Sequence, residues 1–273
     1  MIAPPTLAGV WSATVTPVDA SLEPDAQRAA AFYQELLANG IDGLNVLGTN
    51  GEAMSLSVRQ RIAFMRGLID AGIPTPRTMF GTGASALADT VELNRAAAEL
   101  GVAAALIIPP FYYRDATDEG IVRFFDALFS RVTPPPVLLY NFPRMSSIAF
   151  TVPLVERLMN EFPGRISGMK DSSNDTALQR ELVKRHPELR IFTGSEETLA
   201  DVLSFGGAGC ISGSVALWPQ LAGDYYRTRD ANLGEKLAQQ RRSLNGASLI
   251  ATVRERLAQT RNDDNWRRAI PPL

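Results

Sequence analysis

Ala103-Ala104-Ala105-Leu106-Ile107-Ile108 is an unbroken apolar run, without the alternation of a strand that has one face in water. Continuous apolarity of this kind suits a parallel strand covered on both faces. Working outward from it, similar short runs recur at a period of roughly 30 residues, the rhythm of βα units. They are Val10 to Thr16, Gly43 to Leu47, Thr78 to Gly81, Val137 to Tyr140, Ile166 to Lys170, Ile191 to Thr193 and Gly209 to Ser212. Between them lie helix-period apolar positions, such as Ala30, Phe32, Tyr33, Leu36 and Leu37 before Gly40, or Ile62, Phe64, Met65, Leu68 and Ile69 before Gly72. Eight such units predict an α/β fold, a closed (β/α)₈ TIM barrel. A doubly wound open sheet would usually carry a Gly-rich phosphate loop after its first strand, where this chain has Thr14-Val15-Thr16-Pro17. The residues after Ser212 are mostly helix formers and predict the last barrel helix plus additional C-terminal helices. The expected layout is one domain over 1–273, with the barrel over about 7–230 and the helical extension over about 231–273. The prolines in Arg267-Arg268-Ala269-Ile270-Pro271-Pro272-Leu273 prevent a helix from continuing through them.

Composition excludes several function classes. With 27 Lys and Arg against 29 Asp and Glu, the formal charge is −2, and basic runs are no longer than Arg241-Arg242 and Arg267-Arg268. A nucleic-acid partner is therefore not expected. One cysteine, Cys210, gives no internal disulfide, and one histidine, His186, gives no multi-histidine metal cluster. No apolar stretch of about 18 residues occurs, and Met1 to Pro5 lacks a basic region leading into one, so we expect no membrane span and a cytoplasmic location. His186, before Pro187 at a helix end, reads as a surface residue, and Cys210, inside a strand, reads as core.

In such barrels the active site lies at the C-terminal ends of the strands. Lys170 ends the run Ile166-Ser167-Gly168-Met169 and should project into the barrel mouth, where a neutral amine attacks a keto carbon to form a Schiff base. A lysine there also has plainer uses, reaching to solvent or pairing with Asp171. Tyr140, at the end of the adjacent strand, can relay protons or can be a packed aromatic. Thr49 and Tyr112 could extend a hydroxyl chain, although Tyr112-Tyr113 equally suits a surface aromatic pair at a subunit contact. Gly48-Thr49-Asn50-Gly51 gives a turn whose backbone N–H groups can face a carboxylate, or simply a tight turn.

Gly48-Thr49-Asn50-Gly51-Glu52, Tyr140-Asn141-Phe142-Pro143, Gly168-Met169-Lys170-Asp171 and Gly206-Gly207-Ala208-Gly209 together resemble, in that order and spacing, the dihydrodipicolinate synthase / N-acetylneuraminate lyase family. The resemblance covers roughly residues 7 to 230. It implies a class I pyruvate-dependent aldolase or lyase on a (β/α)₈ barrel with C-terminal helices, assembled as a homotetramer of paired dimers, with neither cofactor nor metal. By the same resemblance Lys170 forms the Schiff base with pyruvate, and Tyr140 and Thr49 relay protons. Tyr112 would reach across a dimer interface into the neighbour's site. Thr49 and Asn50 would hold the pyruvate carboxylate, and Gly51, Ile211 and Ser214 would complete the substrate-binding set.

The chain departs from the synthases of that family where an arginine holds the second substrate's carboxylate: Met145 stands there, with Arg144 one residue earlier. Losing a charge-assisted hydrogen bond of about 1.5 to 3 kcal/mol would weaken aspartate semialdehyde binding roughly ten- to a hundredfold. Val58 and Ser85 occupy the lysine-feedback positions, so lysine inhibition is not expected. Ser195-Glu196-Glu197 resembles the segment that meets sugar-acid hydroxyls, and it equally reads as a helix N-terminal cap. The favoured substrate is accordingly a 2-keto-3-deoxy sugar acid. Asn50 and Gly168 to Ser172 also resemble the 4-hydroxy-2-oxoglutarate aldolases, where Ser172 would touch a substrate carboxylate or else cap the next helix. The remaining alternatives are 4-hydroxy-tetrahydrodipicolinate synthesis, a family dehydratase, and a barrel that binds a 2-oxo acid without turnover.

Overall fold

The computed structural model describes residues 7–246 and 248–273. Eight parallel strands close into a barrel: β1 (Gly9–Ala13), β2 (Gly43–Val46), β3 (Thr78–Gly81), β4 (Ala104–Ile107), β5 (Val137–Asn141), β6 (Ile166–Asp171), β7 (Arg190–Thr193) and β8 (Gly209–Ser212). Each pairs with the next, and β8 pairs with β1 through Gly9↔Gly209 to Ser12↔Ser212. Every apolar run singled out in the sequence is one of these strands. The first is shorter than expected, ending at Ala13 instead of Thr16. Past Ala13 one more bond runs to β2, from Thr14 N to Asn45 O (3.1 Å), and the chain then turns toward the loop after β2, where the Thr16 hydroxyl donates to Gly51 O (2.8 Å). Pro17 then offers no N–H for a ladder.

The outer layer runs α1 (Ala26–Ala38), α2 (Val58–Asp70), α3 (Leu87–Glu99), α4 (Asp118–Phe129), a single turn α5 (Pro143–Ser146), α6 (Val152–Glu161), α7 (Thr176–Arg185), α8 (Leu199–Ser204) and α9 (Pro219–Thr228). The additional helices α10 (Ala231–Arg242) and α11 (Leu249–Arg261) follow. Side chains of Asp25, Ser57, Thr117, Thr151 and Asp175 accept first-turn N–H groups and so fix where α1, α2, α4, α6 and α7 begin. At Ser57 the cap is reciprocal, because Gln60 reaches back to the Ser57 N–H. Among the described residues no helix is long and apolar enough to cross a membrane.

Strand alternation decides what the barrel encloses. Val137 and Leu139 pack with the helices, while Leu138 and Tyr140 join Trp11, Met79, Leu106, Phe192 and Ile211 inside. On β6, Met169 belongs to the helix-side core, so its neighbour Lys170 faces inward. In register Tyr140 pairs with Lys170, and Lys170 with Phe192. The continuous apolarity of β4 has the same origin: Ala105 and Ile107 face helices while Ala104 and Leu106 face the interior.

Candidate active site

The C-terminal ends of β2, β5 and β6 bring three of the expected residues together. Lys170 is buried, 3% exposed, and its Nζ lies 4.3 Å from the centroid of the Tyr140 ring. The Tyr140 hydroxyl is 3.2 Å from Thr49 Oγ1. Among the described residues Lys170 has no ion pair. The neighbouring carboxylate is engaged elsewhere, because Asp171 accepts from Asn141 Nδ2 (2.6 Å), Gln179 Nε2 (2.6 Å) and the Ser173 hydroxyl (3.0 Å). Burial nevertheless holds the Asp171 carboxyl above its ordinary range, with the bonds from Ser173, Gln179 and Asn141 pulling the other way. The residues following the two inward-facing groups therefore clamp one strand to the other on the opposite face of the sheet.

The loop after β2 begins and ends in left-handed backbone, at Leu47 (φ 57°) and Glu52 (φ 52°). Gly51 and Glu52 N–H groups turn inward to Gly48 O and Thr49 O, both at 3.1 Å. Among the described residues, the Thr49 and Asn50 N–H groups donate to no protein acceptor, which leaves two adjacent donors for an anion. The Asn50 amide packs against the backbone of Gly213 after β8. Gly81 lets β3 pass close beneath, since a Cβ there would sit 2.1 Å from Leu47 O.

What holds this loop escaped the sequence reading. The Glu52 carboxylate, buried, is gripped by the Arg254 guanidinium of α11, with Nε at 2.6 Å and Nη2 also bonded, and accepts the Ile270 N–H at 2.8 Å. Arg254 also donates to Thr16 O (2.8 Å) and Trp266 O (3.3 Å). A signal was present: buried Ile250, Val253, Arg254, Leu257 and Ala258 form one helical stripe, and an arginine inside an apolar stripe calls for a buried partner.

The other expected residues sit as follows. Ser195 Oγ accepts the Glu197 N–H at 3.3 Å, the capping geometry. Glu196 is buried and accepts from Ser212 (2.6 Å) and Ser214 (2.9 Å), with Arg241 Nε at 3.8 Å. Glu197 accepts from Asn245 Nδ2 at 3.1 Å. Ile211 is inside the barrel. Ser172 donates its N–H to Asn141 O at 2.8 Å and does not cap α7, a part taken by Asp175. Tyr112 does not join Lys170 within this chain; it is 75% exposed and stacks edge-on with Tyr113 at 5.3 Å. Cys210 is core as expected, and burial raises its thiol well above the ordinary range. His186 ends α7 beside Glu156.

A cavity of about 270 Å³ opens beside Tyr140 and Thr49, with Ile108, Phe111, Met145 and Ile250 in its wall. Met145 thus occupies the wall, while the Arg144 guanidinium lies 5.5 Å over the Phe142 ring. Among the described residues no group of three or more His, Cys, Asp or Glu could hold a metal ion.

Comparison with known proteins follows the same outline. The model of the dihydrodipicolinate synthetase family matches residues 6–255. An uncharacterized DapA-like lyase of Chloroflexus aurantiacus is 36% identical over 216 residues, 78% of this chain and 72% of its own. Escherichia coli YagE, named a putative 2-dehydro-3-deoxy-D-gluconate aldolase, is 30% identical over 221 residues, 78% of this chain and 72% of its own. The YagE structure in complex with pyruvate superposes with a TM-score of 0.84, covering 97% of this chain and 92% of that one at 25% identity. Dihydrodipicolinate synthase from Agrobacterium tumefaciens superposes at 0.87, with 28% identity and coverage of 97% and 92%.

Proposed function

The chain belongs to the dihydrodipicolinate synthetase family, and from that premise we propose that it is a lysine Schiff-base lyase acting on a carbon–carbon bond between pyruvate and an aldehyde. The observation that carries this reading is the inward-facing Lys170 against the Tyr140 ring, with the Tyr140 hydroxyl 3.2 Å from Thr49 beside two unengaged backbone N–H groups.

In the cleavage direction the neutral Lys170 amine adds to the C2 carbonyl of a 4-hydroxy-2-oxo acid, and loss of water gives an iminium. The substrate carboxylate rests on the Thr49 and Asn50 N–H groups, with Gly51 completing the turn. Tyr140 accepts the 4-hydroxyl proton while passing its own toward Thr49, and the C3–C4 bond breaks with its electrons moving into an enamine. The aldehyde leaves, C3 takes a proton, and water hydrolyses the iminium to release pyruvate and free Lys170. Condensation is the same sequence reversed, and neither direction needs an oxidant or reductant. We read the assembly as a homotetramer in which Tyr112, exposed on the isolated chain, serves a neighbouring copy's site.

A second reading narrows the substrate to a 2-keto-3-deoxy sugar acid, and what favours it is the 30% identity to YagE under its printed name. Condensation with aspartate semialdehyde is disfavoured by Met145 in the cavity wall.

The test is borohydride reduction in the presence of pyruvate, followed by peptide mass mapping. Lys170 should carry one reduced pyruvyl group, and Lys170→Ala should carry none. Labelling of another residue, or none in the unaltered protein, overturns the reading.

A further inference from the structure

We infer that the aldehyde this site joins to, or releases from, pyruvate is short, uncharged and largely apolar. The inference rests on the lyase reading above, names its second substrate, and runs against the narrower sugar-acid reading that the identity to YagE favours. The cavity beside Tyr140 measures about 270 Å³, just below the roughly 300–1,000 Å³ usual for small-molecule sites. Its wall presents Met54, Ile108, Phe111, Met145 and Ile250. Removing apolar surface from water is the interaction such a wall offers.

Three observations speak against polar partners. Among the described residues no cationic side chain lines the cavity; Met145 stands in the wall and Arg144 is turned onto Phe142. A second carboxylate, as in glyoxylate or aspartate semialdehyde, would lose its water there with no charge to meet it. The acidic member of the wall, Glu52, is committed to Arg254 and the Ile270 N–H. The hydrogen-bonding side chains left in this chain are Thr49, Ser55 and Tyr140, joined on the assembly read above by Tyr112 of the partner subunit, and Thr49 and Tyr140 are bonded to each other. A polyol brings more hydroxyls than these can satisfy. Lastly, the two carboxylates that suggested a polyol lie outside the cavity wall, Glu196 accepting through Oε2 from Ser212 and Ser214, and Glu197 from Asn245.

In the condensation the enamine carbon attacks the aldehyde carbon and one carbon–carbon bond forms. The aldehyde oxygen takes its proton through Tyr140, and water hydrolyses the iminium to a 4-hydroxy-2-oxo acid and free Lys170. The test uses the full chain with pyruvate and one of four aldehydes: isobutyraldehyde, benzaldehyde, D-glyceraldehyde or glyoxylate. Product formation is followed by chromatography, and borohydride trapping of pyruvate is run alongside. We expect kcat/KM for isobutyraldehyde or benzaldehyde to exceed both polar aldehydes at least tenfold, and Met145→Arg to shift the ratio toward glyoxylate by a similar factor. A preference for D-glyceraldehyde or glyoxylate overturns the inference. So does failure to condense any of the four while pyruvate still labels Lys170. Absence of that label overturns the lyase reading itself and this inference with it.

Discussion

Replacing Arg254 with methionine keeps most of the aliphatic stem and deletes the guanidinium, so it isolates what the buried pair with Glu52 does. The guanidinium makes two bonds to Glu52 and one each to Thr16 O and Trp266 O, and both members of the pair are almost wholly covered. The variant leaves a buried carboxylate with the Ile270 N–H as its remaining partner. Removing one member of a buried ion pair costs roughly 3–5 kcal/mol. For a chain of this size each kcal/mol moves Tm by about 2–4 °C, so a fall of roughly 10 °C is expected. Because Glu52 closes the turn that carries Thr49 and Asn50, the KM for pyruvate should rise as well. The assay is urea and thermal unfolding at one protein concentration for the unaltered chain, Arg254→Met, Glu52→Gln and the double variant. Neutralising Glu52 in the Arg254→Met background removes the stranded charge, so the double variant should recover at least about 1 kcal/mol over additivity. A loss below about 1 kcal/mol in Arg254→Met, or strict additivity in the cycle, would refute the argument.

Three further outcomes can be checked directly. Gly81→Ala places a methyl 2.1 Å from Leu47 O, a backbone atom with little room to yield, and should destabilise by about 1–3 kcal/mol or more in urea unfolding. Tyr140→Phe keeps the ring against Lys170 and deletes the relay hydroxyl, so turnover should fall about 10²- to 10⁴-fold in a coupled pyruvate assay while borohydride still traps pyruvate at long times. Asp171 is held above its ordinary value of 3.8 by burial, so the folded state binds that proton more tightly than the unfolded one. Its contribution to stability is full below 3.8 and is lost as pH rises through the raised value, a slope that Asp171→Asn should remove from the acid side of the pH–stability curve. An unchanged slope would locate that loss of stability with rising pH in another group.

The parts legible in the sequence were those governed by neighbours along the chain. Eight apolar runs gave eight strands, and alternation along Ile166 to Lys170 put Lys170 inside without reference to any other element. The plain reading of Ser195-Glu196-Glu197 as a cap describes the Ser195 hydroxyl, and nothing local announced that Glu196 would turn to serines sixteen and eighteen positions ahead. The Glu52–Arg254 pair spans 202 positions, and its sequence trace is a single charged residue in an apolar stripe. Met145 was read as a missing cation; that it would become part of an apolar wall depends on where β4, β5 and α11 meet. Tyr112 stands exposed on the loop after β4, stacked on Tyr113, so no contact within the chain ties it to Lys170.

The clamp between Asn141 and Asp171 divides the site into parts with different freedom to change. Lys170 and Tyr140 ride on strands whose mutual position is fixed from behind, at 2.6 Å, by residues that never face the ligand. Met54, Phe111 and Met145 stand instead on the segments that follow β2, β4 and β5. On the proposed lyase reading, substitutions there would exchange one aldehyde for another while the amine and the phenol stay in place. Evolution, or a directed library confined to those three positions, can explore new carbon–carbon bonds without rebuilding the nucleophile.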